Sequence, residues 1–259
     1  MKRNYSDYVF QLIGLTLLSF FLNGAVALAD TENQNSAMPS SKAAPSSDEL
    51  RELLNKVDNS GRGESSHAVI EMQVQTKRYA RSMKMEAWSK GSEQSLIRIV
   101  EPAKDRGLST LKSKNKLWNY LPNTDRTMRV PGAMMSGAWM GSHFTNDDVV
   151  RETRFSDDYT FALAPNSEAP GGKTLTIRCT PMPKTPVVWG YVDVHVRSDG
   201  VPTEVRFFSE KNIKIRSFTY SEIKDIGGHL VPMKMVVTPH DKPGERTTLI
   251  FHSLKLNIG

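Results

Sequence analysis

The side chains of this 259-residue chain with most chemistry to offer are six histidines, one cysteine and two adjacent carboxylate pairs. His67, His143, His195, His229, His240 and His252 are scattered, with no H-E-x-x-H or other short metal-ligand spacing. Asp147-Asp148 and Asp157-Asp158 set carboxylates side by side, but neighbours on a strand point to opposite faces, so neither pair is an obvious metal clamp. Asp147-Asp148 reads more simply as a loop or helix start than as an acid–base pair. His143 follows Ser142 and would need distant partners for a triad, which nothing in the sequence selects. No G-x-S-x-G, G-x-x-x-x-G-K-[ST] or G-x-G-x-x-G run occurs, so the common hydrolase elbow and phosphate loops are absent. Cys179, between Ile177 and Pro181, reads as a small buried residue, and a single cysteine excludes an intrachain disulfide or a Cys-based zinc finger. The expectation is a protein with no catalytic residues, cofactor or metal.

Composition points the same way. Hydrophobic residues at 38% and charged residues at 24% describe a globular chain with an ordinary core, excluding a membrane-spanning bundle and a wholly disordered chain. The formal charge is +6, yet no dense basic block occurs, since Lys112, Lys114 and Lys116 alternate with other residues. Such an excess favours anionic surfaces and speaks against sequence-specific nucleic-acid binding.

The first 29 residues form a separate unit. Lys2 and Arg3 precede an uncharged apolar run from Val9, which closes on Ala27-Leu28-Ala29. Small residues three and one positions before the break suit signal peptidase, so export to the periplasm with cleavage before Asp30 is expected, leaving a soluble protein. Residues 30–45 are polar, rich in Ser, Ala and Pro, and without period, as in a flexible tether. The folded domain then spans 46–259.

Ser46 with Glu49 forms a capping box, and Leu50, Leu53, Leu54 and Val57 recur at helical spacing. From Ala68 the period changes to two, with Ala68, Ile70, Met72 and Val74 on one face of a strand. Similar runs span 83–88, 96–100, 117–121, 159–163, 175–179, 187–196, 201–208, 213–220, 230–237 and 247–256. Turn signals such as Lys90-Gly91, Gly171-Gly172 and Asp199-Gly200 separate them. A meandering antiparallel sheet follows, which must close or lie under helices to hide its apolar face.

One stretch breaks the rhythm. Pro131 to Phe144 carries no charge, and Met134, Met135 and Met140 surround Trp139 between Gly132, Gly137 and Gly141. Met135, Trp139 and, less well, Phe144 share a face if the stretch is helical. Methionines adapt to irregular partners and glycines ease a change of backbone shape, so the segment reads as a movable lid over a cavity or as a plug of core.

Glu101-Pro102, Gly107, Leu117-Trp118-Asn119-Tyr120-Leu121-Pro122, Arg129, Ser136 to Ser142 and Phe144-Thr145-Asn146-Asp147-Asp148 resemble the outer-membrane lipoprotein-sorting (LolA-like) family. Trp189-Gly190-Tyr191-Val192-Asp193, Pro202 and Phe207 fit its second half, and the likeness covers roughly residues 47 to 257. The resemblance implies a mainly β fold, an open (incomplete) antiparallel β-barrel with helices closing the concave face. It also implies an apolar hollow that holds the acyl chains of lipids or lipoproteins crossing the periplasm. The generic branch resembled looks like a companion of inner-membrane exporters.

Two functions fit these residues: a carrier of lipid or acylated lipoprotein with transient membrane-surface contact, or a non-catalytic interaction module of an exporter complex. For the carrier, the candidate lining is Met72, Val74, Trp118, Tyr120, Met134, Met135, Trp139, Met140 and Phe144, with the polar tips of Trp118 and Tyr120 at the rim. Each is equally an ordinary core residue. The leader yields the first prediction: intact mass of the exported protein will give Asp30 as its first residue, and a membrane-retained species still carrying Met1 would overturn it.

Overall fold

The computed structural model describes residues 44–61, 63–151, 154–165, 167 and 174–258. The expected leader, all but the last two residues of the tether, and the Gly171-Gly172 turn lie outside the described residues.

The first helix, α1 (Ser47–Asn59), starts on the expected capping box: the Glu49 amide donates to Ser46 Oγ at 3.3 Å, and the Ser46 amide to Glu49 Oε2 at 2.7 Å. Leu50, Leu53 and Leu54 are buried. Six strands follow, β1 (Ser65–Gln75), β2 (Ala80–Lys90), β3 (Gln94–Glu101), β4 (Ser109–Ser113), β5 (Lys116–Leu121) and β6 (Arg126–Arg129). The chain then crosses over through 3-10 turns at Gly132–Met134 and Trp139–Gly141, and through the short helices α2 (Asn146–Val150) and α3 (Phe155–Asp158). Seven strands complete it: β7 (Tyr159–Leu163), β8 (Thr174–Pro181), β9 (Tyr191–Arg197), β10 (Pro202–Phe208), β11 (Lys214–Ile226), β12 (His229–Pro239) and β13 (Arg246–Leu256).

All thirteen strands join one antiparallel sheet in the order β6-β5-β4-β3-β2-β1-β13-β12-β11-β10-β9-β8-β7. The chain walks outward from β1 to one edge, crosses the apolar face to the other edge, and walks back until β13 pairs with β1. β6 and β7 do not pair, so the sheet is an open barrel, as expected, with α1 and the crossover over its apolar face. β1 shows the logic, with Ala68, Ile70, Met72 and Val74 buried and their neighbours half-buried or exposed.

Two strands escape the hydrophobic pattern. The inward residues of β4 are Thr110 and Lys112, so alternation there gives no apolar signal. All four residues of β6 are exposed at the edge. The expected strand over 187–196 begins only at Tyr191; Gly190 before it lies against the backbone of Ser209 and Glu210, where an added Cβ would sit 2.7 Å from Glu210 Cα. The Pro131 to Phe144 stretch is not one α-helix. Its 3-10 turns are separated, and Met140 (φ 46°) and Gly141 (φ 62°) adopt left-handed backbone that ends any helical run.

Polar contacts fasten the crossover. Asp58 of α1 accepts from the amides of Phe155 and Ser156 at 3.0 and 2.9 Å. Burial pushes its carboxyl up from the ordinary value, against those hydrogen bonds and the Arg154 charge. Asp148 completes a capping box with Thr145 and takes a bidentate hydrogen bond from Arg216 of β11, both at 2.7 Å. The guanidinium lies 4.8 to 5.5 Å from the ring centroids of Phe207, Phe218 and Trp189. Burial resists ionisation of Asp148, but the Arg216 charge and the hydrogen bonds outweigh it and hold the carboxyl below its ordinary value.

Removing one partner of such a pair strands the other charge in the core. Asp148→Ala is expected to cost about 3–5 kcal/mol in urea unfolding. Lys234→Ala, which breaks an exposed 3.0 Å pair with Glu222, should cost less than about 1 kcal/mol. Equal losses would refute this account of the fastening. Because Asp148 is held below its unfolded value, its share of stability is present above the ordinary carboxylate range and is lost as pH falls through the depressed value.

Candidate functional site

The strand register assembles a feature that no single segment contains. Met83 pairs with Met72, Met72 with Leu249, and Leu249 with Met235, so these four side chains run in one row across β2, β1, β13 and β12. All four are buried on the face that carries the core, and Met85 and Met233 lie two residues along their strands on the same face. The next row is Arg81, Val74, Thr247 and Val237. Methionine is unbranched, with three rotatable bonds and a polarizable sulfur, so this floor adapts its shape at low cost.

The tip of the crossover, residues 139–144, reaches this end of the sheet. Trp139 (3% exposed) and Phe144 (fully buried) belong to the core cluster, with Met135 and Met140 packed against it. Trp139 Nε1 donates to Thr110 Oγ1 at 3.2 Å, and Phe144 meets Phe218 edge-on with centroids 5.9 Å apart. One isolated bridge, Ala138 to Thr145, closes the tip on itself, and it adds no strand to the sheet.

Side chains from two hairpins hold the tip. From β1–β2, Tyr79 donates to the Gly141 carbonyl at 2.6 Å and Arg81 to the Met140 carbonyl. Gly141 is required there, since a Cβ would stand 3.1 Å from the Tyr79 hydroxyl and 3.2 Å from the Arg81 guanidinium on a left-handed backbone. From β12–β13, Thr247 Oγ1 accepts the His143 amide at 3.0 Å and lies 2.8 Å from His143 Nδ1, while Nε2 lies 3.0 Å from Glu245 Oε2. Nε2 donates to the carboxylate, and Nδ1 shares the second hydrogen bond with the Thr247 hydroxyl. The hydrogen bond from His143, with one from the Lys77 amide, holds the Glu245 carboxyl below its ordinary value.

Thr247, His143 and Glu245 thus form a hydroxyl–imidazole–carboxylate chain. Thr247 is fully buried, and its oxygen is engaged by the His143 amide and ring, so it presents no nucleophile to solvent. The chain is a latch. Among the described residues no group of three or more His, Cys, Asp or Glu is placed to hold a metal. Cys179 is buried, which pushes its thiol well up and away from reactivity.

The expected lining residues fall into three groups. Met72 and Val74 form the floor, and Trp139, Phe144, Met135 and Met140 the roof. Met134 is 60% exposed and outside. Trp118 and Tyr120 share a face, as expected, but the buried residue of this strand is Leu117, on the opposite face, so they point away from the floor, and the Tyr120 hydroxyl donates to Asp125 at 3.0 Å. Met83, Met85, Met233, Met235 and Leu249 were missed. Their signal is the pair of Met-Lys-Met triplets at 83–85 and 233–235, where strand spacing puts both sulfurs on one face.

A family model described as uncharacterized protein matches residues 91–259. No curated protein matches the sequence significantly. Among solved structures, a DUF1329 family protein from Desulfovibrio piger superposes with a TM-score of 0.72 at 20% identity, covering 81% of this chain and 92% of its own. A LolA superfamily protein from Nitrosomonas europaea gives 0.65 at 22% identity over 80% and 92%. A structure described as an outer membrane lipoprotein-sorting protein domain from Vibrio parahaemolyticus gives 0.68 at 20% over 82% and 92%. These similarities establish the fold. No helix among the described residues is long and apolar enough to cross a membrane.

The latch generates a pH prediction. With its pKa depressed in the folded protein, Glu245 supports the tip above the ordinary carboxylate range, and that support is lost as pH falls through the depressed value. Amide exchange at 139–144, corrected for intrinsic rates, should therefore lose protection on acidification before the sheet does. Glu245→Ala should show low protection at every pH and no acid step. An unchanged acid step in that variant would dismiss the latch.

Proposed function

The chain belongs to the uncharacterized-protein family matched over residues 91–259 and has the LolA-superfamily fold, and from that premise we propose that it is a periplasmic carrier of acyl chains. Its cargo is a lipid or an acylated lipoprotein moving between the envelope membranes, handed over by an inner-membrane exporter. The protein contributes binding and release, and no covalent step.

One observation carries this reading. An adaptable floor of methionines lies under a roof that side chains hold in place, while no ladder strand ties the roof down. Lifting residues 139–144 breaks their hydrogen bonds with Tyr79, Arg81, Thr110, Thr247 and Glu245 and leaves the strand pairing intact. An acyl chain entering between floor and roof keeps the methionines, Trp139 and Phe144 out of water, and each methylene so buried contributes about 0.8 kcal/mol. About ten methylenes would supply roughly 8 kcal/mol before the cost of ordering the chain. Such contacts are nondirectional, so release requires no specific bond to be broken. The similarity to a lipoprotein-sorting domain supports the cargo class, and the expected leader supports the compartment.

Solvent extraction of the purified protein should yield acyl lipid by mass spectrometry. Trp139→Asp should lower the recovered lipid at least tenfold with the β-rich circular dichroism spectrum retained, since a desolvated charge is costly in the hollow. Absence of lipid from the wild type, together with failure to bind a fluorescent fatty-acid probe, would refute the carrier reading.

A further inference from the structure

On the face opposite the methionine floor, the register builds a second apolar row. Trp88 pairs with Leu96, Leu96 with Leu111, and Leu111 with Trp118, across β2 to β5. With strands about 4.8 Å apart the row is roughly 14 Å wide. Leu96 is 38% and Leu111 44% exposed, so the row is uncovered at its centre. At one end the Trp88 ring is braced by His67, with centroids 5.2 Å apart, and by the Arg98 guanidinium at 5.1 Å.

The charge around this row is lopsided. Residues 80–129 hold eleven Lys and Arg against five Asp and Glu, an excess equal to the +6 of the entire chain, so the rest is balanced. The next row on this outer face is Lys90, Gln94, Ser113 and Lys116, with Lys114 in the turn beside it, and all three lysines are exposed. Arg98 of this face pairs with Glu86 at 2.8 Å, whereas Lys90, Lys114 and Lys116 stand at the strand ends; on the same face of the other half of the sheet Arg178 pairs with Asp193 at 2.8 Å and Arg206 with Glu204 at 2.7 Å. An uncovered apolar row flanked by unbalanced lysines matches a surface with anionic phosphates above hydrocarbon.

We propose that the outer face of β2–β5 docks the protein on an anionic phospholipid bilayer, with Leu96 and Leu111 entering the interface and Lys90, Lys114 and Lys116 meeting the phosphates. The surface is separate from the inner hollow and does not depend on the carrier reading. It gives the molecule two apolar faces with different tasks, one shielded for cargo and one open for landing.

The test is cosedimentation of the protein, purified as the cell processes it, with vesicles of phosphatidylethanolamine and phosphatidylglycerol at three to one. Binding is expected, falling several-fold between about 0.1 and 0.5 M salt and on replacement by phosphatidylcholine vesicles. Leu96→Glu with Leu111→Glu should weaken it at least tenfold, as should Lys114→Glu with Lys116→Glu, which removes no apolar surface. Val188→Glu, at an 88% exposed position elsewhere, should bind as wild type. Trp139→Asp should also dock normally, which separates this surface from the cargo hollow. No binding to the anionic vesicles would overturn the proposal, as would unchanged binding of both double variants. So would a dimer that the leucine substitutions dissociate, since it would assign the row to a second copy of the chain.

Discussion

An antiparallel sheet that stops short of closing leaves a wide apolar face with water on its other side, and something must cover it. Residues 130–151 and 154–158, between β6 and β7, do so, and the buried Asp148–Arg216 pair fastens that cover to the sheet. A carboxylate in that position is tolerated because one guanidinium satisfies both oxygens and three aromatic rings surround the guanidinium. Without the pair, α2 would place an uncompensated charge against Phe207 and Phe218.

From that point the cover is held in both directions. Toward α3 it is tied by the buried Asp58 carboxylate and, nearer the surface, by Arg51 donating to the Ser156 carbonyl at 2.6 Å. Toward the tip the attachments are side-chain hydrogen bonds at the sheet's rim, among them the His143–Glu245 contact. Tyr79 is exposed, so its contact exchanges with water at low net cost, whereas the His143–Glu245 contact is about as buried as the Asp148–Arg216 pair. The crossover is therefore held by buried contacts at both ends, with one exposed hydrogen bond, from Tyr79, at its tip.

The strand period of two gives the two faces of the sheet separate chemistry. On β1 and β2 the methionines face the core, while Glu71, Glu86 and Trp88 face outward. Substitutions on one face need not disturb the packing of the other. That independence requires the register to hold, since a one-residue slip would exchange the faces.

Local rules made much of this legible in the sequence. The capping box at Ser46, the stripe of Leu50, Leu53 and Leu54, the alternation along Ala68 to Val74 and the helix start at Asp147-Asp148 all depend on neighbours a few residues apart. So did the shared face of Trp118 and Tyr120, though not which face it was. That depended on Leu117 and on β4, whose inward Thr110 and Lys112 conceal the strand from any hydrophobic pattern. The methionine row, the outer apolar row and the Asp148–Arg216 pair join residues up to 177 positions apart, as Met72 to Leu249 shows. Such contacts are set by register and by the path of the crossover, so only the tertiary structure could decide them. The backbone carries the alternation, but the order of strands determines which side chains meet.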